Sequence, residues 1–287
     1  MARTFLIVGA TGNTGRGVLE TLPTLIKNSE KFSGHRILAL TRDVNSVSSQ
    51  KLVNELSGFE IAEKNWTDIN AAWLCENEVV RVFFAGHVMP TQFAEESQFY
   101  VEMLLAGVEY LVRVATTDAN MHADAYAHHS RTHWALENLL SQPEFEKLQY
   151  TSLHPNIYYP MFLGGPAHFI KEFHHTGKQP EMAMIVDAKT PMGCIDPVEV
   201  GVTAAHLLAL NDVSPHNGKK YVLNGPVDIT GDDVVSLVEG YIGEKVDPAN
   251  VVFKDIAMIE EMAEALPYSN NLIMSVTSAP VALWDGK

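Results

Sequence analysis

Through the first half of the chain, short apolar runs alternate with longer stretches in which apolar residues recur at helical spacing. This arrangement builds a parallel sheet with helices on both faces. The predicted strands are Phe5–Val8, Ile37–Leu40, Phe59–Ala62, Val79–Ala85, Tyr110–Val114 and Gln149–Leu153. After the first strand, Val18, Leu19, Leu22, Leu25 and Ile26 mark the buried stripe of a helix. Pro23 interrupts it and is expected to kink or shorten it, because proline has no amide to give to the preceding turn. Phe99, Val101, Met103, Leu104 and Leu105 predict a crossover helix between the fourth and fifth strands, stopped by Gly107 in a left-handed conformation.

The pattern changes near Pro155. Pro155, Pro160, Gly164, Gly165, Pro166 and Gly177 punctuate a stretch expected to be rich in loops and to open a second, smaller lobe. Farther on, Thr230 and Asp233 predict a helix start, with Val234, Val235, Leu237, Val238, Tyr241 and Ile242 as its apolar positions and Gly243 as its stop.

The first strand runs into Gly9-Ala10-Thr11-Gly12-Asn13-Thr14-Gly15 and then a helix. Three glycines at three-residue intervals suit a phosphate-binding turn: one for the bend, one for close approach of a diphosphate and one for helix–strand packing. The helix start adds unpaired amides and the positive end of its dipole, and Thr11, Asn13 and Thr14 add side-chain hydrogen bonds. At the end of the second strand, Thr41-Arg42-Asp43 puts a guanidinium where a ribose 2′-phosphate would be gripped, which favours NADP(H) over NAD(H).

With these residues in place, the chain resembles the NmrA-like branch of the atypical short-chain dehydrogenase/reductases over nearly its whole length. The glycine loop Gly9–Gly15, Ala39-Leu40-Thr41-Arg42-Asp43, Ala106–Arg113, Cys194–Gly201, and Lys220–Pro226 followed by Ile229-Thr230 carry the likeness in order. The resemblance implies a doubly wound Rossmann sheet over residues 1–153, a smaller C-terminal substrate lobe over 154–287, and a segment, 195–225, packed back on the sheet. It also implies cofactor contacts from Arg42, Ala85, Gly86, Thr116, His133 and Pro155 beside the glycine loop.

The departures bear on chemistry. The Tyr-x-x-x-Lys pair of the short-chain dehydrogenases, in which lysine lowers the tyrosine pKa, is absent: Tyr126 is followed four residues later by Ser130. Where NmrA-like members often carry a lysine one turn before a glutamate, His133 precedes Glu137. His133 and Tyr126 are therefore the candidate proton donors, His133 also as a cofactor contact. His129, His133 and Glu137 share one helix face without a third ligand at a zinc-site interval, so a polar helix face is expected there and no metal. Ligands of open α/β sheets settle beyond the carboxyl ends of the strands, which nominates His87, Met89, Asn156, Tyr158 and Phe162 as substrate contacts.

Composition narrows the partners. A formal charge of −15 with no clustered run of lysine and arginine disfavours nucleic acid and anionic membranes; Lys219-Lys220 reads as a solvated strand edge. The only two cysteines, Cys75 and Cys194, have no metal-site or disulfide spacing, and no stretch has the length of a membrane span, so a cytoplasmic protein is expected. Two functions remain open. One is an NADPH-dependent reductase of a small apolar carbonyl, enone or imine compound. The other is a non-enzymatic NADP(H) sensor acting through a protein partner. A homodimer is open in either case.

Overall fold

The computed structural model describes residues 3–286. Its elements, in chain order, are β1 (Thr4–Val8), α1 (Gly15–Lys27), β2 (Arg36–Thr41), α2 (Val47–Glu55), β3 (Glu60–Glu63), α3 (Ala71–Glu76), β4 (Val79–Phe84), α4 (Gln92–Ala106), β5 (Tyr110–Val114), α5 (His128–Leu140) and β6 (Gln149–Pro155). There follow β7 (Ile157–Tyr158), α6 (Tyr159–Thr176), β8 (Met182–Met184), β9 (Met192–Ile195), α7 (Pro197–Leu208), β10 (Lys219–Leu223), β11 (Asp228–Ile229), α8 (Gly231–Ile242), β12 (Val251–Phe253), α9 (Ala257–Glu264), α10 (Asn270–Met274) and α11 (Val281–Trp284). The described chain divides into two compact units: residues 3–116, 132–155 and 197–223 form the first, and 117–131, 156–196 and 224–286 the second.

The first unit is a seven-stranded sheet in the order β10-β6-β5-β4-β1-β2-β3, with every adjacent pair parallel. This is a doubly wound Rossmann sheet, and all six predicted strands lie in it. β1, β4 and the first four residues of β5 are buried throughout, as strands covered on both faces must be. α4 ends as expected at Gly107, in the left-handed region at φ +73. β10 is an edge strand on which Lys219 is exposed, as expected of a solvated edge, whereas the half-exposed Lys220 turns its ammonium inward to Glu137.

Pro23 does not shorten α1, which runs on to Lys27. Val18, Leu19, Leu22 and Ile26 bury its apolar stripe, and this burial outweighs one missing backbone hydrogen bond. α1 also lies against α7 at backbone distance. A Cβ on Gly17 would sit 2.2 Å from the Val198 carbonyl oxygen, and one on Gly201 would sit 2.1 Å from that of Thr14. The far end of α7 is held by Arg81 of β4, which donates from Nη1 to the Leu208 and Leu210 carbonyls and lies 4.4 Å from the centre of the Phe32 ring.

In the second unit the stretch expected to be loops is an 18-residue helix, α6, which passes through Gly164, Gly165 and Pro166. Gly165 is there for proximity: a Cβ would lie 2.2 Å from the Ala183 carbonyl oxygen of β8. Phe162, Pro166 and Phe169 are buried, so tertiary packing overrides the poor helix propensity of the Gly-Gly-Pro run. α8 has the expected start and stop. Thr230 accepts from the Asp233 amide, Asp233 accepts from that of Thr230, and Gly243 closes the helix at φ +76.

Replacing Gly201 by alanine forces a Cβ against the Thr14 carbonyl and the Gly17 Cα. The expected loss is about 1–3 kcal/mol of stability, seen as a lower denaturant midpoint at unchanged m-value. A midpoint equal to that of the unaltered protein would contradict the close α1–α7 contact.

Candidate functional site

The turn after β1 is built by the absence of side chains. Gly9 takes φ +82, and a Cβ on it would stand 2.4 Å from the Ala85 carbonyl oxygen at the end of β4. Gly12 donates its amide to the Gly9 carbonyl at 3.0 Å, closing the turn. A Cβ on Gly15 would reach within 2.2 Å of that same oxygen, so the first residue of α1 also has to be glycine. Thr14 is the N-cap of α1, yet its side chain caps nothing, and the first turn holds no acid. The amides of that turn therefore have no side-chain partner at the positive end of a 13-residue helix, which is the chemistry of an anion site. Thr11 is half-buried, and Gly12 and Asn13 are exposed beside it. Residues of this kind fit a dinucleotide diphosphate.

At the tip of β2, Arg42 and Asp43 are exposed. Asp43 turns its carboxylate to the Asn45 amide at 2.8 Å rather than to Arg42. No carboxylate among the described residues pairs with the Arg42 guanidinium. Beyond β4, Ala85 is half-buried, and a Cβ on the exposed Gly86 would meet the Phe84 ring at 2.8 Å. His87 is fixed at both nitrogens: Nδ1 accepts from the Met89 amide at 3.1 Å, so Nε2 carries the proton and donates to Glu95 at 2.7 Å. Thr116 follows β5, and Pro155 is buried at the end of β6.

Behind these loops lies a charged cluster from which pattern reading singled out only His133 and Glu137. Arg113, on β5, is fully buried with five side-chain partners. It donates to Glu96 at 2.9 Å, to Tyr100 Oη at 2.8 Å, to Glu137 at 3.3 Å, to Ser152 at 3.2 Å and to His133 Nδ1 at 2.9 Å. Glu137 also accepts from Ser152 and from His154 Nε2 at 2.6 Å, and Lys220 Nζ of β10 lies 2.6 Å from its other oxygen. Two cations, Arg113 and Lys220, thus balance two carboxylates, Glu96 and Glu137. A buried charge survives only when paired in this way. The signal available in the sequence was a lone arginine inside the apolar run Tyr110–Val114.

The cluster changes the reading of α5. The helix face expected to be polar is turned inward: His133 and Glu137 are 4% and 1% exposed. Since an arginine can only donate, His133 Nδ1 is the acceptor and its ring proton sits on Nε2. Burial alone would raise the Glu137 pKa, but the His154 hydrogen bond and the Arg113 charge outweigh it and bring it down to about 2. Burial raises the Tyr100 hydroxyl well above its ordinary value, so it stays a neutral donor to Glu96. Among the described residues, no group of three histidine, cysteine, aspartate or glutamate side chains is placed to hold a metal. Both cysteines are free thiols.

The remaining nominated residues belong to the second unit. Asn156 donates to Asn224 at 2.9 Å, and its own carbonyl oxygen is buried without a partner. Tyr158 is half-buried, which raises its hydroxyl pKa, and it pairs within β7 beside Ile195. Phe162, 2% exposed, belongs to the apolar core formed with Phe169, Met184 and Val234. Its ring fills that core instead of lining a cavity. Tyr126 is 70% exposed and borders a small cavity.

Glu137→Gln leaves Arg113 and Lys220 short of one negative charge, and a loss of about 3–5 kcal/mol is expected in chemical denaturation. Because its folded pKa lies below the ordinary value of 4.5, the carboxylate stabilises fully above that value and the contribution fades as pH falls toward 2. The difference in stability between the two proteins should therefore shrink between those pH values; a constant difference would show that the charge plays no part.

No family model matches the sequence, and no curated protein matches it. Its fold has well-defined counterparts among solved structures. The chain aligns with the NADPH-dependent quinone oxidoreductase QOR2 of Escherichia coli, solved with NADPH, at 17% identity and TM-score 0.68, over 98% of this chain and 89% of that one. It aligns with the triphenylmethane reductase of Citrobacter sp., solved with NADP(H), at 17% identity and TM-score 0.67 over 99% and 91%. A third alignment, with a structure from a study of pinoresinol-lariciresinol and phenylcoumaran benzylic ether reductases, has 15% identity and TM-score 0.68 over 100% and 89%. The chain thus has the Rossmann-type fold of these reductases along its whole length.

Proposed function

We propose that the protein is an NADPH-dependent oxidoreductase acting on a small, mostly apolar carbonyl, enone or imine compound. The observation that carries the reading is the turn after β1: glycines pressed against backbone carbonyls lead into an uncapped, acid-free helix start at the carboxyl edge of a parallel sheet. Arg42, unpaired at the neighbouring strand tip, suits a ribose 2′-phosphate, and Asp43, which would suit a free 2′-hydroxyl, is engaged by Asn45. The solved structures that share the fold add support, since two of them hold NADPH or NADP(H).

In this reading Gly9, Thr11, Gly12, Asn13, Thr14 and Gly15 hold the diphosphate and Arg42 the 2′-phosphate, with Ala85, Gly86, Thr116, His133 and Pro155 as further contacts. The coenzyme supplies a hydride when bound. The protein orients the reactants, keeps water out and delivers a proton. His133 and Tyr126 are the candidates for that delivery; Arg113 leaves the His133 ring proton on Nε2, which faces the Gln92 side-chain amide at 3.4 Å. His87, Met89, Asn156 and Tyr158 are the proposed substrate contacts. A coenzyme-dependent regulator acting through a protein partner is the second reading, favoured by the missing Tyr-x-x-x-Lys pair.

Arg42→Ala should weaken NADPH binding at least tenfold, the loss of a charge-assisted pair worth about 1.5–3 kcal/mol, while NADH binding changes less than twofold in calorimetry. Equal losses would remove the coenzyme assignment. With a panel of quinones, enones and cyclic imines, NADPH consumption is expected for some member and should fall at least tenfold in His133→Ala. Binding of NADPH without turnover of any compound would establish the regulator instead, and full turnover in the variant would clear His133 of the proton transfer.

A further inference from the structure

The loop 85–91 joins β4 to α4 and sits directly against the glycine turn. The Ala85 amide donates to the Val8 carbonyl at 3.2 Å, and the Ala85 carbonyl is the group that leaves no room for a Cβ on Gly9. A shift of this loop therefore shifts the wall beside the proposed diphosphate site. Its middle is thinly packed, with Gly86 exposed and Val88 56% exposed, and the half-buried His87 ring ties it down. Nδ1 accepts from the Met89 amide at 3.1 Å, and Nε2 donates at 2.7 Å to Glu95 in the first turn of α4. The ring also lies against Trp66, with 5.5 Å between centroids, and Thr91 Oγ1 holds the Glu95 carboxylate at 2.9 Å.

The Met89 contact exists only while the ring is neutral. A proton on Nδ1 turns that acceptor into a donor facing another donor, the Met89 amide. From α4 the charged group against the ring is Glu95, and from the segment after β3 Trp66 presents an uncharged face. Protonation therefore trades the bond inside the loop for a stronger, charge-assisted pairing with the helix. Histidine is the side chain suited to make such a trade near neutral pH.

We propose that His87 is a positioning residue for the coenzyme: its neutral ring latches the loop beside the glycine turn, and its protonation releases the loop, so that acidification weakens coenzyme binding. The inference rests on the coenzyme reading, in which Ala85 and Gly86 are contacts, and adds the regulation of that site by pH. Both ring nitrogens are engaged, so the residue acts on the coenzyme through the loop. The sign follows from linkage: the bound state prefers the neutral ring, so its contribution to affinity is complete above the titration of His87 and is lost as pH falls through it.

Asparagine separates the latch from the titration. Its Oδ1 stands as many bonds from the backbone as the imidazole Nδ1 and accepts from the amide two residues on, yet takes no proton in this range. Calorimetry with the acid-stable NADP+ compares the unaltered full chain, His87→Asn and His87→Ala at about pH 8 and about pH 5.5, the span in which histidine titrates. The coenzyme's own 2′-phosphate titrates near pH 6 in all three, so the ratios between proteins carry the result. On acidification the unaltered protein is expected to lose about threefold more affinity than His87→Asn, the scale of one hydrogen bond. His87→Asn should match the unaltered protein at the higher pH, where His87→Ala binds about threefold more weakly. In amide NMR without coenzyme, the Met89 resonance of the unaltered chain should move with the His87 ring titration, a measurement that needs no variant to fold. A Met89 amide indifferent to that titration, equal pH responses of the unaltered protein and His87→Asn, or equal affinities of the two variants would each overturn the proposal. NADP+ bound by none of the proteins at either pH would overturn the coenzyme reading and its regulation together.

Discussion

An arginine in the middle of a parallel sheet governs how the first unit is assembled. Arg113 lies on β5, a strand covered on both faces, where an unpaired guanidinium would cost several kcal/mol. Its five donors are distributed to α4 through Glu96 and Tyr100, to α5 through Glu137 and His133, and to β6 through Ser152. Lys220 brings β10 to the same carboxylate. The planar fork imposes directions as well as distances, so the two helices are set in rotation as well as position. His133 inherits its tautomer from that arrangement, which links the interior electrostatics of the sheet to the one imidazole proposed to transfer a proton.

The other constraint is steric and sits at the opposite end of the side-chain scale. Gly9, Gly15, Gly17 and Gly201 each approach a backbone carbonyl at a distance that no Cβ could share. The turn after β1 and the α1–α7 contact are therefore adjoining parts of one close-packed layer, with the Thr14 carbonyl wedged beside Gly201. A helix start fixed this rigidly keeps its amides aligned without a side-chain cap, the condition for presenting them to a ligand.

Most of the sheet was legible because fully buried parallel strands are continuous apolar runs, and Phe5–Val8 or Tyr110–Val114 cannot be anything else in their context. Gly107 and Gly243 were legible as stops because left-handed backbone selects glycine. α6 was not, since Gly164, Gly165 and Pro166 are local breakers whose helix is held by burial of Phe162 and Phe169 and by the approach of Gly165 to β8, information that resides in distant residues. The same applies to the site. The glycine loop and Arg42 are contiguous motifs and could be read directly. The partners of Arg113 are spread from Glu96 to Ser152, with Lys220 reaching the same carboxylate, and only the fold brings them together; Phe162, nominated by its position after β6, turned out to be core for the same reason.

The seventh strand has a consequence for how the protein is made. β10 joins the sheet beside β6 only after the chain has traversed 156–196, and α7, which packs on the N-terminal α1, comes from the same late segment. On the ribosome the first unit is therefore unfinished until Leu223 has emerged. Until then Glu137 waits for Lys220, and α1 shows its glycine face uncovered. Contacts of such long sequence separation slow folding and leave a nascent sheet edge open to wrong partners. A holdase chaperone bound to the open edge would be expected to raise the yield of native protein.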